Sequence, residues 1–533
     1  MRSGCPWRLD EVRSHVACHD DESQRIANGL CVRRTVRHGG RRPHLQRRHV
    51  YLGWRHLGLV RNPMRTVDRA MLAALCLGLA ACGGGDNNAA QTVAGTPGSP
   101  ASPAEPASAA SGSSPSSANP ASPAPASSAA GTTPGAASSV AGTTSGAARL
   151  PTQGANSVLV ADVTVYPAAD GSDQADALQK AFDSLKTGQR LVIAPGRYVV
   201  GHSLTVSVPQ AVISGYGATL AATNPADQTI VMSGTGSTLV GVTLVGTGTT
   251  RLTTPASTKV EVTGAGVQVL QVTIDGGASA GIFVFGGNGV AIVGNTVHAT
   301  LADGIHATNG SVNVLVQNNT VTATGDDLIA VVSYLNDGRV SSNVLIDHNA
   351  VSGNPWGRGI AVVGGQAVTI SNNTVDGVQK AAGILVAQED SWKTYGASNV
   401  VISGNVVTNI QNSNVNNGLQ PTQQAALELD TSTGTVTNVA VTGNSVSGSG
   451  YAGFRAYGNV CSFSVTGNTF SSIAGAPLSL LASGCAASQI VVDANRLGDG
   501  SLMALPSGSS AKGTFTVTGA DASLMPQVRT GLM

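Results

Sequence analysis

The chain has 533 residues, with Lys+Arg 30 against Asp+Glu 29 and a formal net charge of +1. Charged residues make up only 11% and aromatics 4%, whereas glycine numbers 67. Such a composition suits a β-rich chain with many tight turns and excludes a mainly helical one.

Residues 1–63 carry 13 of the 30 Lys+Arg, together with Cys5, Cys18 and Cys31, and show no periodicity. Two readings stand: a disordered basic arm able to bind nucleic acid, or misassigned sequence upstream of a true start at Met64. The second is favoured by the residues from Met64 to Gly83. Met64-Arg65 and Arg69 open a short basic region, then an apolar run from Ala70 to Ala81 closes on Leu79-Ala80-Ala81-Cys82-Gly83. That run is too short to span a bilayer and reads as a secretory signal over 64–81. Leu-Ala-Ala-Cys also resembles the lipobox of bacterial lipoproteins, and this resemblance implies lipidation of Cys82. The implied location is the bacterial cell envelope, lipid-anchored at the outer membrane, or secretion otherwise.

Residues 82–153 are Ala, Ser, Pro, Gly and Thr with almost no charge, the composition of a disordered tether. Without residues 1–81 the chain keeps 15 Lys+Arg against 23 Asp+Glu, a net of −8. Nucleic acid is therefore not an expected partner of the folded part.

The folded domain is expected over 154–533. Asp170-Gly171-Ser172 precedes a helical pattern over 173–186 in which Leu178, Ala181, Phe182 and Leu185 share a face, with Ser172 as N-cap. Gly188 ends it, and Leu191-Val192-Ile193 resumes strand. A helix followed by such a strand resembles the N-terminal cap of pectate-lyase-like β-helix proteins, which implies that it covers the open apolar end of a solenoid.

An asparagine then recurs at 295, 319, 349, 373, 405, 444, 468 and 495, at steps of 24 to 39 residues. Within each unit, short Val/Ile/Thr runs such as Val368-Thr369-Ile370 alternate with Gly, Asn and Asp. Period-two alternation bounded by turn residues denotes strands. About 24 residues hold three strands and three turns, one coil of a parallel β-helix. The fold class is all-β, a right-handed single-stranded parallel β-helix with a capping helix. Its core is stacked aliphatics, so scarce aromatics are no obstacle. The asparagines form an amide ladder up one turn and are structural.

Aligning the strand after each major turn gives Ala280-Gly281-Ile282, Asp303-Gly304-Ile305, Asp327-Leu328-Ile329, Arg358-Gly359-Ile360 and Ala382-Gly383-Ile384. The isoleucines should stack inward, which leaves Asp303, Asp327 and Arg358 in one column on three adjacent coils, with Asp326 and His306 beside it. Like charges at strand spacing repel, and paired carboxylates separate one another's pKa values, the requirement for an acid and a base in one site. Either Asp alone is ordinary turn chemistry.

Three long intervals mark insertions. They fall around Ser333–Arg339, which includes Tyr334; around Gln388–Tyr395, which includes Glu389, Trp392, Lys393 and Tyr395; and between Gln411 and Gln424. Loops on one face of a solenoid usually form the binding surface. Tyr334, Trp392, Tyr395 and Trp356 offer flat faces for sugar rings, and His306, Glu389 and Lys393 join them as candidate substrate-binding residues. Cys461 and Cys485, 24 residues apart, can meet across adjacent coils as a disulfide.

The central motifs resemble the polygalacturonase family of inverting glycoside hydrolases, whose pattern is Asn-Thr-Asp-Gly, Gly-Asp-Asp-Cys-Ile-Ala, Gly-His-Gly and Arg-Ile-Lys on consecutive coils. Here the text reads Leu301-Ala302-Asp303-Gly304, Gly325-Asp326-Asp327-Leu328-Ile329-Ala330 and Gly357-Arg358-Gly359. The resemblance implies Asp326 as general acid and Asp303 with Asp327 as activators of water. Inversion needs carboxyls about 6.5–9.5 Å apart. Arg358 replaces the histidine, and Gly383-Ile384-Leu385 replaces the basic motif that reads a substrate carboxylate. These residues are compatible with three functions. The first is a glycoside hydrolase with a polysaccharide substrate and no cofactor. The second is a lyase or uronate epimerase, in which Asp303, Asp326 and Asp327 would bind Ca²⁺ and Arg358 would abstract a proton, as the arrangement resembles pectate lyases. The third is a non-catalytic glycan-binding or surface-structural β-helix. The expected oligomeric state is monomer or trimer, with the membrane as partner through Cys82.

Overall fold

A computed structural model describes residues 161–529 and 531, apart from 421 and 514. The basic N-terminal region, the signal, Cys82 and the tether lie outside the described residues.

Each coil contributes one strand to each of three parallel sheets of 13, 11 and 12 strands. Ala291–Val293 lies in the first sheet, Thr296–His298 in the third and Ile305–Thr308 in the second, before Val312–Gln317 returns to the first. Every pairing between the named strands is parallel and joins one coil to the next, as Ile282↔Ile305 and Ile305↔Ile329 illustrate. The interior is an unbroken column of aliphatics, among them Ile292, Val297, Val344 and Ile370, each fully buried. Strand alternation directs every second residue inward, so stacked β-branched side chains meet their equivalents one coil away.

The asparagine ladder is continuous. Asn295, Asn319, Asn349, Asn373, Asn405, Asn444 and Asn468 each donate a side-chain N–H to the next asparagine Oδ1 at 2.9–3.0 Å. Each Oδ1 from Asn319 onward also accepts the backbone N–H of the asparagine before it. These side chains are almost wholly buried, so the ladder satisfies backbone groups that water cannot reach.

The helix is present as Ala175–Ser184, with Leu178 and Phe182 buried against the first coils. Its cap differs from expectation. Gln174 stands at the N-cap position but its side chain bonds Ala168 N–H and Tyr166 O rather than the helix, and Asp173 Oδ1 accepts the Ala175 N–H at 2.9 Å. Ser172 instead closes a turn on Asp170. An Asx turn at Asp173 satisfies the first helical amide, so the serine is not needed there. Cys461 and Cys485 form the expected disulfide, with Cα atoms 5.6 Å apart.

Coils end near Leu497. The last residues, assigned by the sequence to the solenoid itself, run back along the outside of the first sheet. Ala520 N–H bonds Thr369 Oγ1, Asp521 N–H bonds Asn343 Oδ1, and Gln268 grips both Gln527 O and Arg529 N–H. Met525 covers an outward apolar stripe of Val240, Leu270, Ala291 and Leu315.

Candidate functional site

The site sits where the chain turns from the third sheet into the second. Ile282, Ile305, Ile329, Ile360 and Ile384 occupy one register and are buried. Ala280, Asp303, Asp327, Arg358 and Ala382 therefore form a column two residues earlier. Their carbonyls accept from Gly304, Leu328 and Gly359 N–H groups at 3.0–3.1 Å along its charged part. The residue between column and isoleucine also faces the core. A Cβ on Gly304 would lie 2.3 Å from Val321 Cγ1, and one on Gly359 would lie 2.4 Å from Gly383 O. Glycine lets two successive positions approach the interior, which turns the charged residue outward.

Asp303, Asp326 and Asp327 each place a carboxylate oxygen within 4.8 Å of the other two. His306 Nδ1 lies 2.6 Å from Asp303 Oδ2, and the ring packs tilted against Phe283 at 5.1 Å. Asp326 Oδ2 accepts from Arg251 Nη1 at 2.7 Å. Asp327 Oδ1 accepts the Arg358 backbone N–H at 2.7 Å. The Arg358 guanidinium reaches across to Glu389 Oε1 at 2.5 Å and stands 3.7 Å from Asp327. Asn354, fully buried, donates to the Asp326 carbonyl and accepts from Trp356 N–H at 2.7 Å.

Burial first, and repulsion from Asp303 second, raise the Asp326 carboxyl, against the pull of Arg251. Burial raises Asp327 well above the ordinary range, opposed by Arg358. The cluster thus retains protons where isolated aspartates would have lost them. Burial and the neighbouring aspartates push the Tyr334 phenol up as well, so it remains a hydrogen-bond donor. Nearest oxygens within 4.8 Å are a tighter set than the about 6.5–9.5 Å expected between the carboxyls of an inverting pair.

All-oxygen donors suit a hard cation such as Ca²⁺, which takes roughly six to eight oxygens. Two guanidinium groups already balance Asp326 and Asp327. The three carboxylates with these two counter-charges are a poor fit to such an ion.

The two insertions after the second-sheet strands join one another. Tyr334 and Thr394 form an antiparallel bridge, Leu335 N–H bonds Lys393 O at 2.7 Å, and Tyr395 N–H bonds Ser333 O at 2.9 Å. Of the expected binding residues, His306, Tyr334 and Glu389 come to the charged column. Tyr395 serves the loop junction through its backbone. Trp392 and Lys393 stand exposed at the loop tip, and no described contact ties them to the aspartates.

Several participants were not among the residues expected from the sequence. Arg251 is separated by 75 residues from Asp326, with no local pattern to mark it. Glu428 and Arg455 share His306's register and were visible as charges within apolar strands. Arg455 Nε and Nη2 both lie 2.7 Å from Glu428 Oε1, and its guanidinium stands 5.0 Å from the Tyr457 ring. Burial lifts Glu428 to about 8 despite this partner. Asp430, raised by burial and by Glu389 against the opposing pull of Arg455, stands 3.8 Å from the Arg455 guanidinium.

A protein-family model for the right handed beta helix region matches residues 234–375 and 280–470. With its three parallel sheets, the chain is a right-handed parallel β-helix protein. No curated protein matches it. Among solved structures it is similar to the catalytic domain of a GH87 alpha-1,3-glucanase in complex with tetrasaccharides, at 16% identity over 62% of this chain and 68% of that one, TM-score 0.49. The mannuronan C-5 epimerase AlgE6 A-module of Azotobacter vinelandii is 16% identical over 63% and 96%, TM-score 0.42. The Dettilon tailspike protein is 15% identical over 63% and 68%, TM-score 0.40.

Proposed function

We propose that the protein cleaves a polysaccharide by general acid–base catalysis at Asp303, Asp326 and Asp327. One observation carries this reading: three carboxyls on two adjacent coils meet within 4.8 Å, and burial raises two of them. A proton held in the Asp326–Asp327 pair passes to the glycosidic oxygen as its bond to the anomeric carbon breaks. Asp326 has the more exposed carboxyl of that pair, 25% against 8%, and is the donor. Asp303, held by His306, is assigned the proton of the water that attacks the anomeric carbon, although the carboxyls stand closer together than the about 6.5–9.5 Å usual for an inverting pair. Arg358, paired with Glu389, positions Asp327. Tyr334 donates a hydrogen bond from the loop side.

A Ca²⁺-dependent lyase or epimerase is the second reading, suggested by three carboxylates at one point but opposed by the two guanidinium groups beside them. Against it, Arg358 would have to serve as base. Although burial opposes its charge, Glu389 and the aspartates hold its proton more firmly than usual. A lipid anchor at Cys82 and a location at the cell envelope complete the proposal, resting on the residues around that cysteine.

The test is incubation of the protein with a panel of bacterial and plant glycans, with and without EDTA. Saturated reducing ends formed without metal dependence, and lost in Asp326→Asn, support hydrolysis. Unsaturated products absorbing in the ultraviolet and lost with chelator point to the lyase. Absence of any product, with glycan binding retained in Asp326→Asn, leaves a non-catalytic binding protein.

A further inference from the structure

Trp356 lies on the turn between Ala350–Ser352 and Ile360–Val363, immediately before the charged column. The residue is 46% exposed, in a chain with four tryptophans in 533 residues. Leaving so large an apolar surface in water is unfavourable. The ring is nevertheless fixed in place. Lys380 Nζ stands 3.3 Å from the ring centroid, occupying one face as a cation–π partner.

The turn is also locked to the acids. Asn354 bonds the Trp356 N–H on one side and the Asp326 carbonyl on the other. Gly357 packs so closely that a Cβ there would lie 2.5 Å from Asp326 C and Asp327 N. The turn that carries this exposed indole is therefore anchored to the acid cluster, and a lysine covers one face of the ring.

Charge in the surroundings restricts what that plate can take. Arg251 is paired with Asp326, Arg358 with Glu389 and Arg455 with Glu428. Lys380 is committed to the indole. The three arginines are taken up by carboxylates and Lys380 lies over the ring, so no guanidinium of this set is left to read a sugar carboxylate. The apolar C–H face of an uncharged pyranose suits a flat aromatic, while its hydroxyls remain in water.

We infer that Trp356 is a stacking platform for a neutral sugar residue next to the bond placed at Asp326, and that Lys380 orients the ring. This rests on the proposed glycan-cleaving site and adds to it a subsite and a substrate class. Galacturonan and other uronate chains are expected to bind less tightly than neutral ones.

The experiment titrates the protein, Trp356→Ala, Trp356→Phe and Lys380→Met with two sets of probes. One set is linear neutral α- and β-glucan oligosaccharides, the other oligogalacturonates. Calorimetry gives affinity, indole fluorescence reports stacking, and thermal melts check folding. The expected result is binding of a neutral probe with a change in fluorescence. Affinity should fall about tenfold, equivalent to about 1.4 kcal/mol, in Trp356→Ala and largely return in Trp356→Phe. Lys380→Met should keep a smaller part of the affinity. Equal affinity across all four proteins overturns the inference. So does tighter binding of oligogalacturonate than of any neutral probe, and so does a wild type that binds no probe. Cleavage lost in Asp326→Asn but indifferent to Trp356→Ala sinks the subsite and leaves the proposed reaction standing. Trp356-dependent binding without cleavage does the reverse.

Discussion

Arg251 and Asp326, 75 residues apart, meet at 2.7 Å through Nη1 and Oδ2. The arginine comes from the segment before the short 3₁₀ turn Pro255–Ser257, and the aspartate from a coil of the charged column. The pair sets the balance of the site, because Arg251 is the largest influence holding the Asp326 carboxyl down against burial and Asp303.

Arg251→Met removes that influence. Asp326 then titrates at higher pH, and the limb of a pH–rate profile governed by its proton moves upward. The check is kcat/KM against pH for the variant and wild type on whichever glycan is cleaved, or a carboxyl ¹³C titration. A downward move contradicts the assigned pairing.

Gly357 supports the acids by contact with the Asp326–Asp327 peptide. Gly357→Ala drives a methyl to 2.5 Å from backbone atoms that have no free rotamer. Overpacking of this kind costs about 1–3 kcal/mol, and the displaced carboxyls should lose most activity. Urea unfolding and the glycan assay test the two effects separately.

Lys259 points inward at the turn before Val260–Val262, where its ammonium meets Gln228 O at 3.2 Å and Gln228 Oε1 at 3.5 Å. Burial pulls it down to about 7 from an ordinary 10.5. Between those values the unfolded chain binds the proton that the folded chain has released. Stability therefore rises with pH from about 7 to about 10.5, and the full cost of the buried charge applies below 7. Lys259→Met should raise the unfolding midpoint at pH 6 and flatten its rise towards pH 10. A variant less stable than wild type at pH 6 refutes this account.

Asn373 accepts from Asn349 twice and donates to Ile346 O and Asn405 Oδ1, all at 2.9–3.0 Å. Asn373→Ala leaves buried partners unsatisfied, each at about 1–3 kcal/mol. Hydrogen exchange at Asn349 N–H should quicken, and the melting temperature should fall by more than in Asn495→Ala at the ladder's last rung.

The repeat was legible because solenoid contacts are local in an unusual sense. Residues one coil apart touch, so the interval between asparagines converts sequence separation into spatial neighbourhood. From that interval, the apolar pattern of the strands and the 24-residue spacing of the cysteines came the coil, the isoleucine stack, the Cys461–Cys485 pairing and the column of Asp303, Asp327 and Arg358. The helix was visible through its apolar face, though its cap was not, since Asp173 and Ser172 compete for the same turn chemistry.

What lay outside one coil's reach was decided by tertiary structure. Arg251 arrives from a connection with no periodic position. The Glu389 carboxylate finds Arg358 only because two loops of irregular length pair through Tyr334 and Thr394. The C-terminal segment lies against strands 151 to 291 residues earlier in the chain, a range over which sequence carries no register. The sequence by itself determined which residues stack, because period fixes stacking. Which charges neutralise one another, and hence which carboxyls keep a proton, depends on burial and on distances between side chains from unrelated segments, and only the folded chain decides those.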